Sequence, residues 1–123
     1  MTKEAAIHKF LSGFGLDASA ATAVPKDAKL PCLTYELSTS AWGDGEASIT
    51  VNLWYYGDTE AEPNAKAQGL SAAIRLGGVL LSCDGGAVWL KRGSPFCQNL
   101  SDASDANVKR RYINLSAEYL TIS

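Results

Sequence analysis

The C-terminal stretch Val108–Ser123, VKRRYINLSAEYLTIS, alternates between two sets of side chains. One parity holds mainly residues suited to a core: Arg111, Ile113, Leu115, Ala117 and Tyr119. Strict period-2 alternation places successive side chains on opposite faces of a sheet. The stretch is also longer than the usual strand of about five to six residues. We therefore predict a long final strand, central in a sheet or docked along it, whose partners come from the rest of the chain.

The composition indicates one globular domain covering residues 1–123. Apolar residues make up 46% and charged residues 20% of the chain, which is ordinary for a globular protein. The net charge of −2 and the pI near 5.3 argue against nucleic-acid recognition, because a phosphate-binding surface is basic. No apolar run approaches the roughly 20 residues that span a bilayer, and the N-terminal residues lack the apolar segment of a signal peptide. We expect no membrane contact.

The three cysteines, Cys32, Cys83 and Cys97, are odd in number and widely spaced, with no CxxC pair. A secreted domain usually has an even set of cysteines that form disulfides. We therefore expect reduced thiols that pack as small apolar side chains, in a protein made in a cytoplasm.

Hydrophobic periodicity predicts two helices. The first has Thr2 as its cap and an apolar stripe at i, i+3, i+4 and i+7, formed by Ile7, Phe10, Leu11 and Phe14. The second, Pro63–Leu76, follows an acidic segment and carries apolar residues at helical spacing. The alanine-rich segment Leu16–Lys29 between the first helix and the next apolar run is predicted to be mainly a surface connection.

Alternating segments predict the strands. Leu33, Tyr35 and Leu37 begin one strand after Pro31, and Ile49–Tyr56 forms a hairpin with it across a turn rich in glycine and aspartate. A second hairpin joins Val79–Cys83 to Ala87–Lys91, and Ser94–Leu100 adds a short edge strand. The predicted fold class is α+β: a mainly antiparallel sheet of about four to six strands with two helices packed on it, in the order α-β-β-α-β-β-(β)-β.

Trp54 and Tyr56 lie on the face of their strand opposite to the aliphatic residues. They either pack beneath a helix or form part of a contact surface. We expect the helix, because a monomer seldom leaves a large aromatic patch exposed.

The sequence offers no catalytic, metal-binding or cofactor-binding motif. His8 is the single histidine, which leaves no imidazole pair for a metal. The carboxylates Asp58, Glu60 and Glu62 stand where a helix begins, and a favourable interaction with the helix dipole explains them better than a cation does. No glycine-rich phosphate loop is present. We predict that the protein is not an enzyme and needs no cofactor.

The predicted order of elements resembles that of the tail terminator (tail completion) proteins of long-tailed bacteriophages and prophages. The resemblance rests on four segments: Leu30–Tyr35, Ile49–Tyr56 with Trp54, the acidic entry to Pro63–Leu76, and Arg110–Tyr119. It implies a structural protein of the virion, made in the host cytoplasm, that forms a homo-oligomeric ring, usually a hexamer. Such a ring sits on the head-proximal end of the tail tube, where it ends tube growth. Its partners are the tube protein and the head connector or completion protein.

Charged segments supply the candidate contacts between subunits. We predict that the basic run Lys109, Arg110 and Arg111 meets acidic residues of a neighbouring copy, from Asp102 and Asp105 or from Asp58, Glu60 and Glu62, with Trp42 as an exposed anchor. Heterologous contacts of this kind close into rings when the rotation permits. A solvated strand end is the simpler interpretation of the basic run. On the contact hypothesis, reversing the charge of Arg111 should weaken assembly and leave the subunit folded.

Two alternative functions stay open. One is another head–tail joining or minor tail component built on a similar subunit. The other is a small α+β ligand-binding domain or enzyme, which would need a pocket with convergent polar groups. A deep cleft at Trp54 would favour the latter, and a flat surface would disfavour it.

Overall fold

A computed structural model describes residues 1–23, 29–39, 45–101, 105 and 107–121. The predicted turn at 41–44 and much of the loop at 101–107 lie outside these residues. Two helices and six strands follow one another along the chain: α1 (Lys3–Leu11), β1 (Asp17–Ala20), β2 (Cys32–Thr39), β3 (Gly45–Tyr56), α2 (Ala61–Ile74), β4 (Val79–Cys83), β5 (Gly86–Ser101) and β6 (Val108–Thr121). Short 3₁₀ turns at Ser12–Phe14 and Ala21–Ala23 follow α1 and β1.

The six strands form one sheet in the order β1-β2-β3-β6-β5-β4. β1 runs parallel to β2, and every other neighbouring pair is antiparallel. The sheet is curled into a half-barrel, and strand makes up 54% and helix 27% of the structure. The predicted α+β class is therefore wrong, because strand outweighs helix two to one and the molecule is a mostly-sheet fold with a mixed sheet.

The C-terminal strand is central, as predicted from its alternation. β6 pairs along twelve residues with β3 on one side and from Lys109 to Thr121 with β5 on the other. Its odd-numbered residues from Arg111 to Tyr119 are all buried, and the even-numbered residues from Arg110 to Glu118 are half-buried. The period-2 pattern thus separates a core-facing side from an opposite side, as a pleated strand requires.

The strands depart from the predicted order in two places, of which the first makes the sheet mixed. The segment predicted as a connection, Leu16–Lys29, contains β1, which pairs Asp17–Ala20 with Cys32–Tyr35. The predicted separate strand Ser94–Leu100 is instead the continuation of β5, interrupted by an irregularity in register between Arg92 and Cys97. Gly93 and Pro95 are residues that usually end a strand. Here they lie within the irregularity, and β5 pairs with β6 on both sides of it.

Both helices pack on the same side of the sheet. Ile7 and Leu11 of α1 and Leu70 and Ile74 of α2 are fully buried in one cluster with the core-facing residues of β2, β3, β5 and β6. The Thr2 hydroxyl accepts a hydrogen bond from the Ala5 amide and caps α1 as predicted. α2 spans Ala61–Ile74, close to its predicted range. Its 14 residues cover the middle of one face of the sheet. No described helix covers the other face, which consists of the strands' own side chains.

Candidate functional site

The face of the sheet opposite the helices is the candidate site, and we call it the open face. It is formed by the even-numbered residues of β6 and by their neighbours across the sheet. The β3–β6 register places Trp54 beside Arg110, Asn52 beside Tyr112, and Thr50 beside Asn114. No described helix packs here, because both helices contribute their buried residues to the core on the other side. The open face is therefore a surface of side chains held on a rigid sheet.

Arg110 organises the densest part of the open face. Its guanidinium carbon lies 5.0 Å from the Trp54 ring centroid and 5.7 Å from the Tyr112 ring centroid. Its Nε donates a 2.7 Å hydrogen bond to the Asn52 Oδ1 atom. We call Asn52, Trp54, Arg110 and Tyr112 the Trp54 cluster. The cation–π contacts and the hydrogen bond hold the guanidinium beside the two rings.

A second hydrogen bond fixes the indole of the cluster. The Trp54 Nε1 atom donates to the Thr34 Oγ1 atom of β2 over 2.9 Å. The neighbouring Asn52 is only 6% exposed, so its amide is a buried polar group with its acceptor satisfied by Arg110. The cluster is thus preorganised, and its own side chains would lose little conformational entropy when a partner binds.

The edge of the cluster adds exposed apolar surface. Tyr56 is 62% exposed and Leu100, which lies opposite Arg110 on β5, is 39% exposed. Trp, Tyr and Arg are the residue types that dominate binding energy in protein interfaces. The chemistry of the cluster therefore suits recognition of another protein surface.

The expectation that a helix covers Trp54 is wrong. The guanidinium of Arg110 covers the indole instead, and Tyr56 remains exposed. The sequence could have indicated this arrangement, because Thr34, Asn52 and Trp54 share the polar parity of their strands. It could not give the β3–β6 register that brings Arg110 and Tyr112 beside them.

Arg111, one of the predicted contact residues, is buried at 1% exposure beneath α2. Its Nε and Nη2 atoms donate to the Asn64 Oδ1 atom over 3.2 and 2.9 Å, and its Nη1 atom donates to the Arg110 carbonyl over 3.3 Å. The Glu60 carboxylate, half-exposed, lies 3.5 Å from Nη2. Arg111 thus ties the start of α2 to β6 within the subunit. The expectation that its charge can be reversed without loss of folding is corrected accordingly.

The other predicted contact residues are placed at the same end of the sheet as the start of β6. Asp58 and Glu62 are exposed, Lys109 is half-buried opposite Tyr55, and Asp105 accepts a 2.9 Å hydrogen bond from the Asn107 amide. The Gly57 amide donates to the Asn107 carbonyl over 2.8 Å, which joins the acidic segment before α2 to the turn before β6. Trp42 and Asp102 lie outside the described residues.

Two described cysteine thiols have raised pKa values. Burial raises the pKa of the Cys32 thiol, and the Asp17 carboxylate raises it further. Burial also raises the pKa of Cys97, and nearby Arg111 only partly opposes this. A raised pKa keeps a thiol protonated and poorly nucleophilic at neutral pH. The His8 imidazole Nδ1 atom and the Tyr35 hydroxyl lie 3.0 Å apart at an exposed position.

The described part of the chain carries neither a cluster of metal-ligating side chains nor a membrane-spanning helix. No group of three histidine, cysteine, aspartate or glutamate side chains there is placed to hold a metal ion. No helix among those residues is long and apolar enough to cross a bilayer.

One depression on the helix side has the size of a small-ligand site. It holds about 580 Å³ and lies between the end of α1 and the start of α2, with Phe14, Leu16, Tyr55 and Lys66 in its wall. The Lys66 ammonium donates a hydrogen bond to the Phe14 carbonyl, so one of its three donor positions is already used within the fold.

Comparison with known proteins adds no assignment. No protein-family model matches the chain, and a search of curated protein sequences gives no match either.

Proposed function

We propose that this protein is a structural assembly subunit, the tail terminator of a long-tailed bacteriophage or prophage. Copies of the chain form a ring, usually of six subunits, on the head-proximal end of the tail tube. The ring ends tube growth and presents the surface on which the head connector or completion protein docks. The mechanism is geometric, because it depends on contacts between folded subunits and requires no covalent step.

The open face is the observation that carries this proposal. A sheet with helices on one side only leaves a large preorganised surface, and here that surface holds the Trp54 cluster. Residues of these types at the centre of a patch are typical of protein–protein contacts. A small-molecule site would instead be concave, and Trp54 lies on the sheet with Arg110 across its ring.

A sheet edge offers a second contact surface. β4 pairs only with Gly86–Leu90, so the rest of β5, as far as Ser101, has no strand beside it on that side among the described residues. The segment Gly93–Ser101 carries no charged residue. Lysines and other charges normally protect an exposed edge from pairing with another chain. Pro95 and the irregularity in register between Arg92 and Cys97 also hinder such pairing, so only the regular, uncharged part of this edge beyond them, Cys97–Ser101, is suited to pairing in an assembly.

The proposal is tested by native mass over a concentration series, with negative-stain images of the largest species. Closed rings of uniform size are the expected result, and their mass gives the subunit number. A single monomeric species at every concentration, together with no binding to tail tubes, would refute the proposal. Rings that bind the head connector but leave tube length unchanged would identify the other head–tail component considered above.

A ligand-binding domain is the second candidate, favoured by the 580 Å³ depression between α1 and α2. Its volume falls in the range of about 300–1,000 Å³ typical of ligand pockets. A thermal-shift screen of small apolar acids distinguishes the two functions. A reproducible rise in melting temperature that Leu16→Arg abolishes would favour the ligand-binding domain.

A further inference from the structure

We infer that the Trp54 cluster of one subunit binds the acidic start of α2 on the next copy of the chain. This contact rests on the proposed ring and names the surfaces that build it. The two patches carry opposite charge, and Arg110 and Glu62 lie on opposite sides of one subunit.

The cationic side of the contact is Arg110. Among the described residues its guanidinium has an amide and two aromatic rings as partners and no carboxylate. The side chain is half-buried, so its charge is partly removed from water but remains accessible from the open face. A carboxylate placed on this face would gain a charge-assisted hydrogen bond to a guanidinium that is already oriented.

The anionic side is formed by Asp58 and Glu62, which we call the α2 acidic patch. Both residues are exposed, and neither forms an ion pair with a described residue. Glu60, between them, is already paired with the buried Arg111. Glu62 lies on the helix side of the sheet, because it borders the same depression as Lys66 and Tyr55. Burial raises the pKa of the Tyr55 hydroxyl, and the nearby Glu62 carboxylate raises it further.

Arg110 and Glu62 lie on opposite faces of the same end of the sheet. Trp54 and Arg110 point away from α2, whereas Glu62 belongs to α2 itself. The sheet separates Arg110 from Glu62 within one subunit, so these two side chains meet only between copies. A contact between two different patches is heterologous, and repetition of it produces a ring or a filament rather than a two-fold dimer.

The test uses two charge-reversed proteins and their mixture. The first variant is Arg110→Glu, and the second combines Asp58→Lys with Glu62→Lys. Each variant alone places like charges across the contact. In an equal mixture complementary contacts are available again. The native acidic patch of the first variant can bind Arg110 of the second variant. The new lysines of the second variant can bind the new glutamate of the first.

Sedimentation velocity from about 1 µM to 1 mM measures assembly. We expect each variant alone to need at least about tenfold more protein than wild type, because juxtaposed like charges oppose association. The equal mixture should return to within about threefold of wild type. The matched control Lys9→Glu changes the net charge as Arg110→Glu does, on an exposed residue of α1, and should assemble like wild type.

Folding of each variant is verified by circular dichroism and a urea midpoint. The double lysine variant changes only exposed residues, so the test stays valid even if Arg110→Glu is destabilised. In that case Arg110→Gln takes the place of Arg110→Glu. Rings that form equally well with both variants and wild type would overturn this contact and leave the terminator proposal standing. A wild type that stays monomeric at 1 mM would also overturn it, and tail-tube binding would then decide the proposed function separately.

Discussion

Arg111→Glu gives the sharpest test of how β6 is placed. Arg111 is 1% exposed and donates three hydrogen bonds, two of them to Asn64. A glutamate there would bury an unpaired carboxylate beside Glu60, which now pairs with the arginine. Leaving a buried charge without its partner costs about 3–5 kcal/mol, a large part of the roughly 5–15 kcal/mol that stabilises a typical domain.

Urea unfolding followed by tryptophan fluorescence measures this loss. With a slope of about 1.5 kcal/mol per M, the expected cost lowers the midpoint by about 2–3 M. For a chain of this size the same loss lowers the melting temperature by roughly 12–20 °C. A midpoint within about 0.5 M of wild type would refute the burial of Arg111 beneath α2.

Two further substitutions separate charge from volume. Arg111→Met keeps much of the side-chain volume and removes the charge, and the exposed Asn64 amide turns to water, so we expect a change within about 1 kcal/mol. Arg110→Gln, on the opposite face, should cost about 1 kcal/mol through lost cation–π and charge-assisted contacts. Equal large losses for Arg110→Gln and Arg111→Glu would show that the two neighbours do not occupy different environments. Two other predictions concern close packing and a buried hydroxyl. A Cβ on Gly93 would lie 2.6 Å from the Asn114 carbonyl oxygen, so Gly93→Ala should cost about 1–3 kcal/mol in urea unfolding. Gly69→Ala, in open space on α2, is its matched control and should stabilise by up to about 1 kcal/mol; equal effects would refute the close approach. The Tyr119 hydroxyl is buried without a hydrogen-bond partner among the described residues, so Tyr119→Phe should leave stability at pH 7 unchanged or raised by up to about 1 kcal/mol. Burial raises the pKa of the Tyr119 hydroxyl above its ordinary value, and Glu4 and Cys83 raise it further. Because the hydroxyl ionises less readily in the folded state, its contribution to folding stability is complete below about pH 10 and falls as the pH rises beyond that value. Tyr119→Phe should reduce that alkaline loss in urea midpoints measured from about pH 8 to 11, and an unchanged loss would contradict the assignment.

The sequence predicted β6 well because its signal is long and local. Alternation over more than about ten residues fixes which side chains share a face. The same alternation put Arg111 on the parity of Ile113 and Leu115, which was a correct indication that it is buried. The general tendency of arginine to be exposed led to the opposite expectation. The partner that makes its burial acceptable, Asn64, lies 47 residues away, and no local pattern identifies such a contact.

β1 and the second half of β5 were harder to predict for different reasons. β1 has the sequence DASA, and aspartate, alanine and serine favour strands weakly or not at all. It is a strand because β2 offers it a parallel pairing edge. In β5, glycine and proline normally end a strand, but pairing with β6 resumes at Cys97 beyond the bulge. In both places tertiary pairing outweighs local preference.

The Trp54 cluster shows the same limit at the candidate site. The sequence led us to predict Arg110 as a contact residue and to place Trp54 on a second face, but it did not indicate that the two side chains lie together. That contact depends on the register between β3 and β6. A shift of one residue in this register would move every side chain of the shifted strand to the other face of the sheet.

Tail tubes provide the most direct test of the central claim. Purified protein would be added in excess to growing tubes of the tail-tube protein from the same phage, and tube ends and lengths would be recorded by electron microscopy. We predict a ring on one end of each tube and tubes that stop growing. Tubes that keep growing with both ends bare, in the presence of folded protein, would contradict it.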